Sequence, residues 1–445
     1  MSLFRPRRAT KCPYCFHQIE LDGCPTIAQN YSSLGGATAG GSLAGEMLGS
    51  MPSMIADAYA EAVTVPAAAG AGVEEGPVRS KRRLPTEARA TSRPASGAAT
   101  VGQIGPYPVL FDPESSSQPQ QRISGLFGSE PQAFDPVDRP AKLCRHCEMP
   151  LPKNLDKVDV FTIALVGSQY SGKTHYLTAA GYEMLRRQRL RGLGLGNVRP
   201  TGSTAMDFHE TRFTKVYEQR LAHDRTTAAE GLVAAKKPFA MELTRPDGRT
   251  CMVLIHDVPG EWLMDANRRA EYFQFLNHAD GVIFLVDPLA IPAVRQRLGD
   301  LVDPAHFIGS RWPQDRLIDE LADQLGQRAL TVPTSVVITK ADMVTRAFGE
   351  IPEFGRPEAA TSAELERDIR ELHVVVRDRV MSWLDEPSIM VASERFPTAV
   401  FHMVAPLGTL PEITSDGTGS QVQRIRGEIR SSRIIDPIYR VMSGA

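Results

Sequence analysis

Gly167-Ser168-Gln169-Tyr170-Ser171-Gly172-Lys173-Thr174 follows an apolar run, Asp159 to Val166, and opens an amphipathic stretch. The eight residues fit the pattern G-x-x-x-x-G-K-[ST] in the strand, loop, helix setting that gives the pattern its meaning. Glycines let such a loop curl so that main-chain N–H groups point inward at an anion, and the helix that starts here adds its positive end. Gly167, Ser168, Ser171 and Gly172 are therefore expected to line a phosphate cradle. Lys173 is expected to reach the β- and γ-phosphates, and Thr174 to offer its hydroxyl to Mg2+. The competing reading, a glycine-rich turn with an incidental lysine, is disfavoured by this context.

Outward from the loop, apolar runs alternate with longer amphipathic stretches, the texture of an α/β sheet. Strands are expected at Asp159 to Val166, Pro238 to Thr244, Thr250 to His256, Gly281 to Val286, Ser335 to Thr339 and Ala399 to Val404, with helices in most of the gaps. Pro246-Asp247-Gly248 is tight-turn chemistry, so the second and third strands should pair antiparallel while the others run parallel. The fold class expected is a doubly wound, mostly parallel six-stranded α/β sheet with one antiparallel strand.

Two further segments fall where such a sheet binds ligands, beyond the carboxyl ends of its strands. Cys251 to His256 leads into Asp257-Val258-Pro259-Gly260: Asp257 is placed to hold Mg2+, and Gly260 to bring its N–H to a γ-phosphate whose loss would release the following loop. Ser335 to Ile338 leads into Thr339-Lys340-Ala341-Asp342. The Asp342 carboxylate can accept from guanine N1–H and N2–H2, donors that adenine does not present in that arrangement, while the Lys340 stem packs over the ring. A site built for those hydrogen bonds rejects the wrong base strongly. Alone, the segment would read as a helix start with Asp342 as N-cap; its place after the other two motifs favours guanine.

These three segments resemble the G1, G3 and G4 motifs of translation-factor-related and Ras-like P-loop GTPases over roughly Val158 to Gly408. The resemblance implies strand order 2-3-1-4-5-6, GTP or GDP as ligand and Mg2+ as cofactor. By the same resemblance Ala405, in Val404-Ala405-Pro406-Leu407, is similar to the G5 position whose backbone meets guanine O6, with Val404 where the family usually has serine. The switch threonine should precede the hairpin. Arg225-Thr226-Thr227 is the candidate, with Thr226 and Thr227 not separable and ordinary loop threonines the alternative. Arg225 is either a built-in arginine finger or a surface arginine. Where many Ras-like proteins carry a water-positioning Gln, this chain has Glu261, followed by Trp262. A carboxylate can orient or deprotonate water, but it adds negative charge beside the γ-phosphate, so hydrolysis is expected to be slow and partner-dependent.

Four of the six cysteines form two Cys-x-x-Cys pairs, Cys12 with Cys15 and Cys144 with Cys147. The two-residue gap lets both thiolates of a pair reach one Zn2+, and two pairs complete a closed four-sulfur site, which is structural. The sequence around them resembles a zinc ribbon, although 128 residues separate Cys15 from Cys144. A long flexible insertion accounts for that at small entropic cost. His17, Cys24 and His146 rank below the four as ligands, and buried thiols without metal are the alternative. The expected organisation is a split ribbon-like module, 1–27 and 139–155; a disordered insert rich in Gly, Ala, Ser and Pro, 28–138, with a transient helix within Ser42 to Val65; and a GTPase domain, 156–445.

The balance of 50 Lys and Arg against 52 Asp and Glu argues against a field that would draw the chain to nucleic acid. No secretory signal pattern or bilayer-length apolar run is seen, so a cytoplasmic location is expected. The layout also resembles bacterial double-GTPase proteins, which implies protein partners such as an effector, a regulator or a partner GTPase in a multi-protein signalling or conflict system. Two other readings stay open: an ATP-dependent P-loop NTPase, and a nucleotide-loaded scaffold that does not hydrolyse. Trp312, Phe307 and Ile308 form either an interface or a packed insert.

Overall fold

The structure is a computed structural model that describes residues 10–12, 14–19, 24, 26–30, 102–104, 107–111, 138–147, 151, 155, 158–186, 189–200, 208–223, 238–244, 249–307, 312–384, 387–415 and 421–443. Arg225, Thr226, Thr227, Ile308, the turn Pro246-Asp247-Gly248 and the segment Ser42 to Val65 lie outside the described residues. The chain divides into two compact units: Gly23–Leu143, and Met1–Asp22 with Cys144–Ala445.

The larger unit is built on a seven-stranded sheet. In chain order its strands are β1 (Asp159–Gly167), β2 (Gly196–Pro200), β3 (Phe239–Thr244), β4 (Thr250–Asp257), β5 (Gly281–Val286), β6 (Thr334–Ile338) and β7 (Ala399–Met403), arranged in space as β7-β6-β5-β1-β4-β3-β2. All six expected strands are present in the expected order. β3 and β4 pair antiparallel, Thr244 opposite Thr250, while β4, β1, β5, β6 and β7 run parallel. The seventh strand, β2, pairs antiparallel with β3 at the edge, with a bulge between Gly196 and Arg199. Its sequence, Gly-Asn-Val-Arg-Pro, carries one strong apolar residue and a terminal proline, which is edge-strand chemistry with little signal to read.

Alternation along β1 explains the two cores. Ala164 and Val166 face a cluster with Phe284, Val336 and the helix α2 (Gln314–Leu325), whereas Ile163 and Leu165 face one with Tyr176, Leu177, Leu365 and Ile438. Those last four lie on α1 (Lys173–Arg186), α4 (Ser362–Val375) and α5 (Asp436–Ser443). A parallel sheet covered on both faces needs apolar residues at every position, which is why β5 reads Gly-Val-Ile-Phe-Leu-Val and is buried throughout. The helix α3 (Ala341–Phe348) follows β6, and α4 starts on a capping box in which Thr361 and Glu364 satisfy each other's backbone N–H. Phe307 and Trp312 are half-buried and pack onto the first core.

Between the loop helix and β3 lies an eleven-residue helix, Phe208–Glu218, wound with i→i+5 hydrogen bonds. After β7 a hairpin, Glu412–Ser415 with Gln421–Arg424, precedes α5. Among the described residues Arg433 is the largest fully buried side chain. At φ 60° it reaches Asp368 of α4 and Asp436 of α5, each at 3.4 Å, and donates to the Glu353 carbonyl at 2.8 Å.

The smaller unit corrects one sequence expectation in part. Within the stretch read as a disordered insert, Gly102–Ile104 and Tyr107–Phe111 join Thr26–Asn30 and Asp138–Lys142 in a four-stranded antiparallel sheet. Tyr-Pro-Val-Leu-Phe is a local β signal that the surrounding low-complexity composition hid.

Candidate functional site

The phosphate loop spans the end of β1 and the start of α1. Gly172 has φ 85° and Tyr170 φ 68°, left-handed conformations that turn the main chain back on itself. Lys173 Nζ folds across the loop and donates to the carbonyls of Gly167 (2.8 Å) and Ser168 (2.9 Å). Desolvation pulls its pKa down, while the carboxylates of Asp257, Glu261 and Asp287 pull it back up. Burial prevails, so the ammonium is held below the usual lysine range. Ser168 and Ser171 are fully buried, and the Ser171 hydroxyl has no hydrogen-bond partner. Thr174 sits half-buried in the first turn of α1.

Asp257 ends β4 and is largely buried. Gly260 opens the 3-10 turn Gly260–Met264 and lies so close to the loop that a Cβ there would come within 2.0 Å of the Gly167 carbonyl. Only glycine permits that approach. Glu261 follows, half-buried, and Trp262 is buried against Tyr272 with Arg268 over its ring at 5.0 Å.

The Thr339 to Asp342 segment is tied to the Gly167 to Thr174 loop by direct bonds. Thr339 Oγ1 donates to the Ser171 carbonyl at 2.8 Å, within reach also of the Val286 carbonyl at 3.1 Å. Lys340, left-handed at φ 48°, donates to the Tyr170 carbonyl at 3.0 Å and to Asp287 Oδ1 at 2.7 Å. Asp342 is not the N-cap of α3; Lys340 holds that position, without a side-chain bond. One carboxylate oxygen of Asp342, Oδ2, is buried with no partner, and burial raises its pKa to about 6. A buried acceptor left open at this point is what a ring presenting two N–H groups would satisfy.

Ala405 is placed differently from expectation. It follows β7 at the same edge of the sheet, but its N–H is given to the Ser432 carbonyl (3.1 Å) and its own carbonyl accepts from Ser432 N–H (2.9 Å). In this arrangement its amide is not presented to a base. The preceding residue, Val404, is buried and accepts from Ala341 N–H, holding the end of β7 to the start of α3.

Sequence reasoning missed two residues of this network. Asp287 is nearly fully buried at the end of β5 and takes both Lys340 and the Leu289 N–H. An acidic residue just after a buried strand was a readable signal. Gln314, at the start of α2, accepts from Asp287 N–H (2.6 Å) and lies 3.5 Å from the Ser168 hydroxyl. Nothing local in the sequence points to it.

The four paired cysteines converge despite their separation. Their Sγ atoms all lie within 4.8 Å of one another, with Cys12 to Cys147 at 3.7 Å and Cys15 to Cys144 at 3.8 Å. A tetrahedron with Zn–S of about 2.3 Å has edges of about 3.8 Å, so the set has the size of a four-thiolate zinc site. Hydrogen bonds from Cys12 lower the pKa of Cys15 and Cys144. His17 and His146 instead stack on each other at 4.4 Å. Beside the cluster Phe16, at φ 61°, stacks on His278 at 4.6 Å and lies 5.9 Å from His256, the residue before Asp257.

A phosphate loop, a strand-end aspartate and a Thr-Lys-x-Asp segment meeting at the carboxyl edge of such a sheet define a P-loop GTPase. The chain belongs to the Double-GTPase 2 family, whose profile matches residues 161–384, just over half of its length. It is 28% identical over 347 residues to a Mycolicibacterium smegmatis protein described as a candidate ESX-1 scaffolding and assembly protein, SaeC, covering 73% of this chain and 86% of that one. Among solved structures it is similar to the Methanosarcina barkeri Roco2 RocCORdC bound to GDP (12% identity, TM-score 0.22, 56% of this chain and 44% of that one). It is also similar to the signal recognition particle receptor SRb-GTP/SRX complex from Chaetomium thermophilum (16% identity, TM-score 0.25, 58% and 95%). No helix among the described residues is long and apolar enough to cross a membrane.

Proposed function

We propose that the chain is a GTP-binding switch that hydrolyses GTP with Mg2+, slowly and in response to partners, within a bacterial multi-protein system. The observation that carries this is the joining of Thr339 and Lys340 to the loop carbonyls of Ser171 and Tyr170, with the open acceptor of Asp342 beyond them. In this reading Lys173 and the loop amides hold the phosphates, Asp342 reads guanine, and Thr174 with Asp257 holds Mg2+, which neutralises phosphate charge when bound. Gly260 senses the γ-phosphate, and Glu261 orients the attacking water. Thr226 or Thr227 closes over the metal.

The Asp342 acceptor supports guanine over adenine, and so GTP over the ATP alternative. Cys12, Cys15, Cys144 and Cys147 hold a structural Zn2+ in the same reading, and the molecule works in the cytoplasm. The name of the mycobacterial relative supports a role in which GTP state governs the assembly of a protein complex. Phosphate release from GTP by the purified protein, with and without Mg2+ and for Glu261→Gln, tests hydrolysis. Release that needs Mg2+ and changes at least tenfold in the variant supports it. Tight GTP binding with no release after long incubation would instead favour the non-hydrolysing scaffold.

A further inference from the structure

The helix Phe208–Glu218 brings to the phosphate end of the site a cation that no motif announces. The guanidinium of Arg212 lies 3.4 Å from Asp257 Oδ2, and the two side chains are only 23% and 11% exposed. Because both groups are largely withdrawn from water, leaving either one without a partner is costly. Asp257 is also, with Glu261 and Asp287, one of the carboxylates whose charge acts on Lys173.

The winding of this helix matters as well. It closes with Gln219 N–H on the Thr214 carbonyl and Leu221 N–H on the Lys215 carbonyl, both at 2.9 Å. Helices wound i→i+5 seldom persist beyond a turn and are frequent at functional sites. Phe213, the neighbour of Arg212, stacks on Tyr182 of α1 at 5.4 Å and on Tyr217 at 5.2 Å. Behind these rings is a cavity of about 350 Å³, bounded also by Glu183, Arg220 and Ile429. Near its middle the helix is thus tied by charge to Asp257, and the rings of Phe213 and Tyr217 stack on Tyr182 at the edge of this cavity.

We propose that Arg212 makes the 208–218 helix a nucleotide sensor: its guanidinium and Mg2+ compete for the carboxylate of Asp257, so loading with Mg-nucleotide undocks the helix. This rests on the GTP-switch reading above. A carboxylate oxygen that ligates a dication cannot also hold a guanidinium without bringing two positive charges together. The competition is reciprocal. Whatever docks the helix weakens Mg2+, and Mg2+ weakens docking by the same factor.

The test uses the full-length protein and the variants Arg212→Ala and Arg212→Lys. The release rate of a fluorescent GDP is measured against Mg2+ concentration, and hydrogen exchange of 208–218 is followed with and without Mg2+ and a slowly hydrolysed GTP analogue. Arg212→Ala should reach its Mg2+ midpoint at about tenfold lower concentration, with Arg212→Lys in between. Exchange of the helix should rise on loading in the wild type and already be high in Arg212→Ala. A midpoint unshifted in Arg212→Ala, or helix exchange indifferent to loading, overturns the proposal while leaving the switch reading intact. A wild type that does not bind the nucleotide at all overturns both.

Discussion

The hydroxyl of Thr339 donates to the carbonyl of Ser171 at 2.8 Å, across 168 residues of chain. This bond ties the loop that carries Lys173 to the segment that carries Asp342. Thr339→Val keeps the shape and removes the donor. It should weaken GTP binding about tenfold, the worth of one buried hydrogen bond, with little change in fold. Calorimetric titration of GTP into the variant checks this.

Asp342 should make the nucleotide-free protein less stable than it need be. Burial lifts its pKa to about 6, above the usual carboxylate range. Between the unfolded and folded values the native state therefore holds the extra proton, so stability falls as pH rises from about 4 to 6 and the full penalty persists above that. Asp342→Asn carries no such charge. It should be more stable than wild type at pH 7.5, by roughly 2 to 3 kcal/mol at most, and the gap should narrow as pH falls toward 4. Saturating GTP should reverse the order at pH 7.5. Melting curves across pH, with and without nucleotide, measure both effects.

The fold and the site were legible to different degrees. β1, β5 and β6 announced themselves because strands buried on both faces are continuous apolar runs, and the β3–β4 hairpin because Pro246-Asp247-Gly248 separates two of them. β2 was hidden because an edge strand needs little apolar surface. The three motif segments that meet at the carboxyl edge of the sheet were readable from local spacing. Gln314 and Arg212 were not, since each acts on a partner far away in sequence, Asp287 and Asp257 respectively, and is ordinary in its own neighbourhood. Ala405 shows the reverse case, in which a plausible position turned out to have its amide bonded to Ser432.

Arg433 should be a stability residue with no part in nucleotide chemistry. It is buried between Asp368 and Asp436, so Arg433→Ala leaves two acidic groups without their shared cation. Removing one partner from a buried ionic cluster costs about 3 to 5 kcal/mol. Denaturant unfolding should show a loss of that order, while any folded fraction keeps wild-type GTP affinity.

The cysteine cluster should hold one zinc per chain by elemental analysis, and chelation or Cys144→Ser should lower the melting temperature. Phe16 connects the cluster to the ring pair His256 and Phe275, which stack at 4.5 Å beside Asp257. Phe16→Ala should therefore destabilise the chain by about 1 to 3 kcal/mol while the zinc content stays at one.

The central claim is that Asp342 reads a purine carrying two N–H donors on the edge it faces. Xanthine presents a carbonyl where guanine has its amino group, so an amide at position 342, which can donate as well as accept, should exchange one preference for the other. Affinities for GTP and XTP, measured by displacement of a fluorescent nucleotide from wild type and Asp342→Asn, test this directly. Wild type should prefer GTP, and Asp342→Asn should lose at least a hundredfold in GTP affinity while gaining XTP. A variant that still binds GTP as tightly as the wild type would contradict the account.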